Sequence, residues 1–199
     1  MKKALIAVAI VVIAAAAWFF VSPLFIDETV DEAFDFVTAD GHVDMDRVMD
    51  MPEDKRHEMR DEIMQAATAA PDREHTEAMP VDEPTVVATG QFVDADAVHK
   101  GSGTATLYAL PDGRNVVRFE DFRTTNGPAL VVYLAKHPNP TSAADVSDGG
   151  FVALGDLKGN VGNQNYEIPA GTNVDEYGSV VIWCELFDVL FSPAALERT

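Results

Sequence analysis

From Thr85 to the C-terminus, short runs rich in β-branched and aromatic residues alternate with turn residues about every ten positions. The turn sequence Pro111-Asp-Gly113 separates two of these runs, as in a β-hairpin. The runs cover 86–93, 103–110, 115–122, 129–135, 151–157, 166–168, 180–184 and 187–191. Seven or eight short strands in series are typical of an antiparallel β-sandwich or barrel. The sequence therefore predicts a mainly β domain over residues 85–199.

The N-terminus carries a candidate membrane anchor. Two lysines precede residues 4–21, a run without a charge or strong polar group, and residues 24–26 extend its apolar character. Eighteen residues is the low end of the length that spans a bilayer as a helix. Basic residues before the run and acidic residues after it orient the N-terminus towards the cytoplasm. We therefore expect residues 1–26 to form a signal anchor, although the small residues at 14–17 leave a cleavable signal peptide as the alternative.

Residues 27–84 form a predicted acidic stalk. This segment holds 19 acidic and five basic residues, which is most of the formal net charge of −19. Its one helical candidate covers 44–70, where Pro52 suits a first turn and Met59 and Ile63 begin a narrow apolar stripe. We expect a single-pass cell-membrane protein with its C-terminal domain extracytoplasmic. The membrane is then one partner, and the strong negative charge disfavours nucleic acid as another.

The predicted stalk is also rich in methionine and histidine. Thioether and imidazole groups are suitable copper ligands, but their irregular spacing favours a methionine stripe that packs against a partner helix. The residues concerned are His42, Met45, Met49, Met51, His57, Met59, Met64, His75 and Met79. The sequence leaves both interpretations open.

Cys184 is the only cysteine in the protein, so no internal disulfide forms. It ends the run 180–184, and strand alternation places it with Val180 and Ile182 on one apolar face. Trp183 points to the opposite face. Four roles remain for the thiol: a buried small hydrophobe, a reactive group, a ligand, or half of an intermolecular bridge.

Residues 88–196 resemble a known family. The resemblance rests on Gly90-x-Phe92, His99-x-Gly-Ser-Gly103, Arg118-Phe-Glu-Asp-Phe-x-Thr-x-Asn-Gly-Pro128, Tyr133-Leu, Leu157-Lys-Gly-Asn160, Gln164-Asn-Tyr166 and Val180-Val-Ile-Trp-Cys184. In this order the motifs are similar to the DM13 domain, an extracytoplasmic β-rich module often found beside DOMON and cytochrome b561-type domains. The resemblance implies an electron-transfer role in which Cys184 acts as a bare thiol or as a ligand to a prosthetic group.

Three further residues are candidates for a site around that thiol. His99 is either a loop histidine bonded to nearby backbone or a second ligand or base for Cys184. Tyr166 and Trp183 are candidate flanking residues for a bound cofactor. The cofactor is open between haem and copper, no metal-ligand set is defined, and Cys-x-x-Cys-His for haem attachment is missing from the sequence.

Two functions remain at this point. The first is a redox or electron-transfer module centred on Cys184; since the chain carries no DOMON or cytochrome-type domain, its redox partner would be a separate protein. The alternative is a non-catalytic cell-surface binding or adhesion module in which Cys184 fills the core. The sequence lacks the zincin, nucleophile-elbow and phosphate-loop motifs, so it leaves open whether the protein is an enzyme.

Overall fold

A computed structural model describes residues 36–80 and 83–199 of the chain. Phe36–Thr199 form one compact unit. Its helices are α1 (Met45–Asp50), α2 (Glu53–Glu58), α3 (Arg60–Ala69) and α4 (Ala143–Ser147), with a 3₁₀ turn at Val174–Glu176. Its strands are β1 (Thr85–Gln91), β2 (Gly101–Ala109), β3 (Asn115–Thr124), β4 (Leu130–Ala135), β5 (Phe151–Asp156), β6 (Val161–Ile168), β7 (Ser179–Cys184), β8 (Val189–Ala195) and β9 (Glu197–Arg198).

The strands form two antiparallel sheets. One has five strands in the order β6-β3-β2-β1-β9, and the other has four in the order β5-β4-β7-β8. Apolar side chains from both sheets share one core, with Phe119 and Phe122 from the first and Ile182 and Phe191 from the second. This confirms the mainly β prediction and favours the sandwich over the barrel, because neither sheet closes on itself within the described residues.

Each of the eight predicted runs overlaps one strand of the structure, β1 to β8, but β6 begins at Val161, five residues before the predicted run 166–168. The predicted hairpin turn joins β2 to β3, where Gly113 N–H donates to the Leu110 carbonyl at 3.0 Å. The short helix α4 was not predicted from the sequence. It begins with a capping box, in which the Ser142 hydroxyl accepts from the Asp145 N–H and the Asp145 carboxylate accepts from the Ser142 N–H.

Both faces of β7 are buried. Val180, Ile182 and Cys184 point into the core between the sheets. Trp183 points outwards into a second cluster, which includes Tyr133 and also Val146 of α4. The alternation predicted from the sequence is therefore confirmed, and the outer face is dry because α4 covers it.

The helical candidate over 44–70 is divided into three short helices. Pro52, with extended backbone angles, separates α1 from α2, and Met59 separates α2 from α3. Val48, Met51 and Ile63 are buried in the same core as the inner faces of the sheets. For Met51 and Met59, both under 8% exposed, packing rather than metal binding accounts for the methionine.

The chain continues from the helices along the edge of the five-stranded sheet. Glu74 forms a parallel bridge with Val161 of β6, and the His75 N–H donates to the Val161 carbonyl at 2.9 Å. Packing is therefore continuous across the boundary predicted at residue 84. Whether 85–199 folds alone stays a prediction.

The predicted anchor over 1–26, and residues 27–35 of the predicted stalk, lie outside the described residues. Within 36–80 and 83–199, no helix has the length and apolar character needed to cross a bilayer.

Candidate functional site around Cys184 and His99

Cys184 lies at the end of β7 with none of its surface exposed. Its thiol donates a hydrogen bond to the Pro128 carbonyl, with Sγ and the oxygen 3.1 Å apart. Pro128 belongs to the turn that leads into β4, and Leu130 of β4 is the register partner of Cys184. The thiol is therefore held by the neighbouring strand and its turn.

Burial raises the pKa of the Cys184 thiol to about 11. The backbone N–H groups of Phe187 and Leu186 and the positive charge of Arg60 act in the opposite direction, but they do not offset the loss of solvation. At neutral pH the group is consequently a neutral thiol. A neutral, enclosed thiol is a poor nucleophile, because the thiolate is the reactive form.

His99 lies in the loop between β1 and β2 and is fixed by Asp96. Nδ1 of His99 lies 2.7 Å from Oδ2 of Asp96, while Oδ1 of Asp96 accepts the backbone N–H groups of Val98 and His99, also at 2.7 Å. Burial acts to raise the pKa of Asp96, but these hydrogen bonds outweigh it and hold the value at about 2. The carboxylate is an obligate acceptor at neutral pH, so Nδ1 carries the proton and orients the imidazole.

The other ring nitrogen of His99 is unsatisfied. Nε2 is buried and has no hydrogen-bond partner among the described residues. The side chain is 13% exposed, and its ring packs against Phe191 with centroids 4.3 Å apart. A buried polar atom without a partner requires an explanation, because such groups are normally hydrogen-bonded.

Strand β8 lies beside both Cys184 and His99. Val189, its first residue, is the register partner of Cys184, and Phe191 is the residue that contacts His99. Among the described residues, no hydrogen bond or ion pair joins His99 to Cys184. The structure therefore brings the two to the same end of β8 without direct contact.

Tyr166 and Trp183 occupy different environments. Tyr166 lies in β6 and shares the inter-sheet core with Cys184, but its hydroxyl donates to Gln164 Oε1 at 2.6 Å and accepts from the Lys158 N–H at 3.1 Å. Burial raises the pKa of Tyr166 above its usual range. Trp183 faces away from the thiol, into the outer cluster. Neither aromatic ring is among the groups that hydrogen-bond or ion-pair with Cys184 in the described chain.

Two turn motifs, at 126–128 and 159–160, hold the N-terminal segment. Asn126 donates from Nδ2 to the carbonyls of Ala70 and Pro71, at 3.0 and 3.1 Å. Asn160 accepts the Arg73 N–H at 2.6 Å and donates to Asp72 at 2.7 Å. Both asparagines therefore have a structural role, because they tie the end of α3 and the residues that follow it to the sandwich.

Both motifs need a glycine, because another part of the chain packs directly against its Cα. A Cβ at Gly127 would overlap the ring of Phe191, and one at Gly159 would overlap the Arg73 carbonyl. The residue after each glycine then takes part in the contacts described above: Pro128 accepts from Cys184, and Asn160 binds Arg73.

The surroundings of Cys184 do not fit a haem or copper ligand in this arrangement. Sγ is enclosed and committed to a backbone carbonyl. In the described part of the chain, no group of three or more His, Cys, Asp and Glu side chains is placed to hold a metal ion. A cofactor bound through this thiol would have to displace Pro128 or the packed residues of β8.

The region that contains these groups is shared with a known family. A family model described as Electron transfer DM13 matches residues 91–196, slightly more than half of the chain. The chain belongs to the DM13 family. No curated protein and no solved structure matches the chain. The resemblance drawn from the sequence motifs is thus confirmed, and the family description is that of a redox-related domain.

The DM13 match includes His99, Cys184 and both turn motifs, and leaves α1 to α3 outside. Two contributors to the site were not predicted from the sequence. Asp96 stands three residues before His99, which is a usable local signal for a carboxylate–histidine pair. Arg60 acts on Cys184 from α3, more than 100 residues away in sequence, and no sequence pattern connects them.

Proposed function

We propose that this DM13 protein is an extracytoplasmic, membrane-anchored electron-transfer module in which Cys184 is the redox-linked group. The observation that carries the proposal is the DM13 match over 91–196, which contains the sole thiol of the chain. The paired lysines, the uncharged run at 4–21 and the acidic residues after it support the membrane anchor and the orientation.

The burial of Cys184 limits how such a module can work. Direct attack on a bulky substrate is disfavoured, because the thiol is enclosed and its pKa is raised to about 11. Electron exchange with a separate redox protein through the packed residues Val189 and Phe191 is the mode that burial permits. One-electron oxidation of the neutral thiol leaves a thiyl radical; the partner protein accepts the electron, and the proton passes to solvent.

The test compares the wild-type protein with Cys184→Ala, both as full-length chains in detergent. We expect the wild type to exchange electrons with soluble redox mediators and the variant, folded but without the thiol, to show none of this exchange. An absorbance spectrum and a metal analysis of the same samples identify any bound haem or copper. Equal behaviour of the two proteins, with no chromophore or metal in either, would overturn the proposal.

A second candidate is a non-catalytic cell-surface binding or adhesion module. The observation that favours it is the same enclosed thiol, which donates to a backbone carbonyl as a packed, satisfied cysteine does. In that case Cys184→Ala keeps any binding activity, and the thiol reacts with a labelling reagent only after denaturation.

A further inference from the structure

We propose that the cleft between helix α3 and the β1–β2 loop binds a small phenolic molecule, hydroquinones included, whose hydroxyl donates a hydrogen bond to Nε2 of His99. The proposal concerns binding only. It does not rest on the electron-transfer function or on Cys184.

The orientation of the His99 imidazole is set by Asp96. Asp96 receives two backbone N–H groups and lies 2.7 Å from Nδ1, so it holds the ring in one orientation. A neutral imidazole that donates from Nδ1 presents a lone pair at Nε2. In that tautomer the free nitrogen is an acceptor, and its complement is a ligand that donates a hydrogen bond.

The environment of Nε2 then limits the chemical class of the ligand. Among the described residues this atom is buried without a hydrogen-bond partner, whereas Nε2 of His75, the other such histidine nitrogen there, lies 3.5 Å from a Glu77 oxygen. Leaving an acceptor unpaired in a dry site is unfavourable by about 1–3 kcal/mol. A donor that reaches Nε2 recovers this energy, so the site favours hydroxyl-bearing ligands over purely apolar ones.

The cleft beside His99 has the size and lining of a small-molecule site. Its volume is about 540 Å³, within the range of roughly 300–1,000 Å³ typical of ligand pockets. Apolar side chains from three elements line it: Met64 and Ala69 of α3, Val98 of the loop and Val189 of β8. Polar groups of Arg60, Asp61, Gln65 and Thr68 complete the lining.

This lining favours an aromatic ring over a metal ion. A metal site requires several ligands around one point, and the described residues here include no group of three or more His, Cys, Asp and Glu side chains. A phenol needs one acceptor for its hydroxyl and an apolar surface for its ring, and the cleft provides both.

Entry of a ligand requires a local adjustment, because Nε2 itself is covered. Met64 is half-buried on the cleft wall, and methionine is an unbranched side chain that changes rotamer easily.

The test measures phenol and benzene binding to the full-length protein in detergent, with free concentrations set by equilibrium dialysis. For the wild type we expect phenol to bind about tenfold more tightly than benzene, as one recovered hydrogen bond requires. His99→Phe keeps an aromatic ring against Phe191 but removes the acceptor, so this preference should disappear. His75→Phe, at a histidine outside the cleft, is the matched control and should keep it.

A second readout is independent of the variants. The nitrogen-15 resonance of His99 Nε2 should shift more with bound phenol than with bound benzene, because only phenol donates a hydrogen bond to that nitrogen. Equal affinity for phenol and benzene in the wild type would overturn the proposal, as would a phenol preference that survives His99→Phe. Binding of Zn²⁺ at His99 without any phenol binding would also overturn it and assign the site to a metal.

Discussion

The thiol of Cys184 donates a hydrogen bond to the carbonyl of Pro128, 3.1 Å away, at the end of the pairing between the central strands β4 and β7. The same turn holds the N-terminal segment, because Asn126 donates to the carbonyls of Ala70 and Pro71. The sole thiol and the helical segment therefore meet at one turn. Three consecutive residues, 126–128, supply the contacts to both.

The first prediction concerns the reactivity of Cys184. Because burial raises its pKa to about 11 from an ordinary value of 9.0, the thiolate fraction at pH 8 is lower by about a hundredfold than for a free cysteine. Labelling of the native protein should be slower by at least that factor and should accelerate as the pH rises towards 11. The urea-denatured protein is the control and should label at the free rate; equal rates in both states would contradict the enclosed thiol.

The second prediction concerns the contribution of α3 to stability. Ile63 is fully buried in the inter-sheet core, so Ile63→Ala should lower the free energy of unfolding by about 2–5 kcal/mol through lost burial and a residual cavity. Urea denaturation measures this change. Glu62→Ala, one position away on the exposed side of the helix, is the matched control and should change stability by less than about 0.5 kcal/mol.

The third prediction compares two fragments, 36–199 and 85–199. The shorter one exposes the core surface that α1 to α3 cover, so we expect it to unfold at a lower urea concentration. Equal midpoints would instead support the sequence-based boundary, with the acidic segment acting as a separate stalk.

The fourth prediction concerns acid stability. The pKa of Asp96 is lowered from 3.8 to about 2, so its contribution to stability is fully present above about pH 4 and is lost as the pH falls through 2. Asp96→Asn should therefore be less stable than the wild type at neutral pH, and the difference should shrink between pH 4 and 2. Asp148→Asn, an exposed carboxylate outside this loop, should show no such convergence. A difference independent of pH would remove the electrostatic explanation.

The fifth prediction concerns membrane topology. A tag placed after Thr199 should be accessible to protease added to intact cells, and the protein should sediment with membranes, because the lysines and the acidic flank orient the anchor. A soluble protein trimmed near Ala17 would show that residues 1–26 contain a cleaved signal peptide instead.

Local patterns explain what could be predicted of the site. Alternation along 180–184 is a property of the strand itself, so it assigned Cys184 and Trp183 to opposite faces, as the structure has them. The environment of His99 could not be predicted in the same way. Its contact with Phe191 joins a loop to a strand that lies 92 positions further along the chain, and its buried Nε2 depends on that packing.

The sequence by itself determined the eight main strands, the β2–β3 hairpin and the face of β7 that carries the thiol, because these depend on residues near one another in the chain. Only the tertiary structure decided that the acidic segment packs its helices into the core of the sandwich, and that Arg60 acts on Cys184. Burial of Val48 and Ile63 requires a complementary surface from strands far away in sequence. An apolar stripe shows that a helix has something to bury, whereas its partner is set by packing over the whole domain.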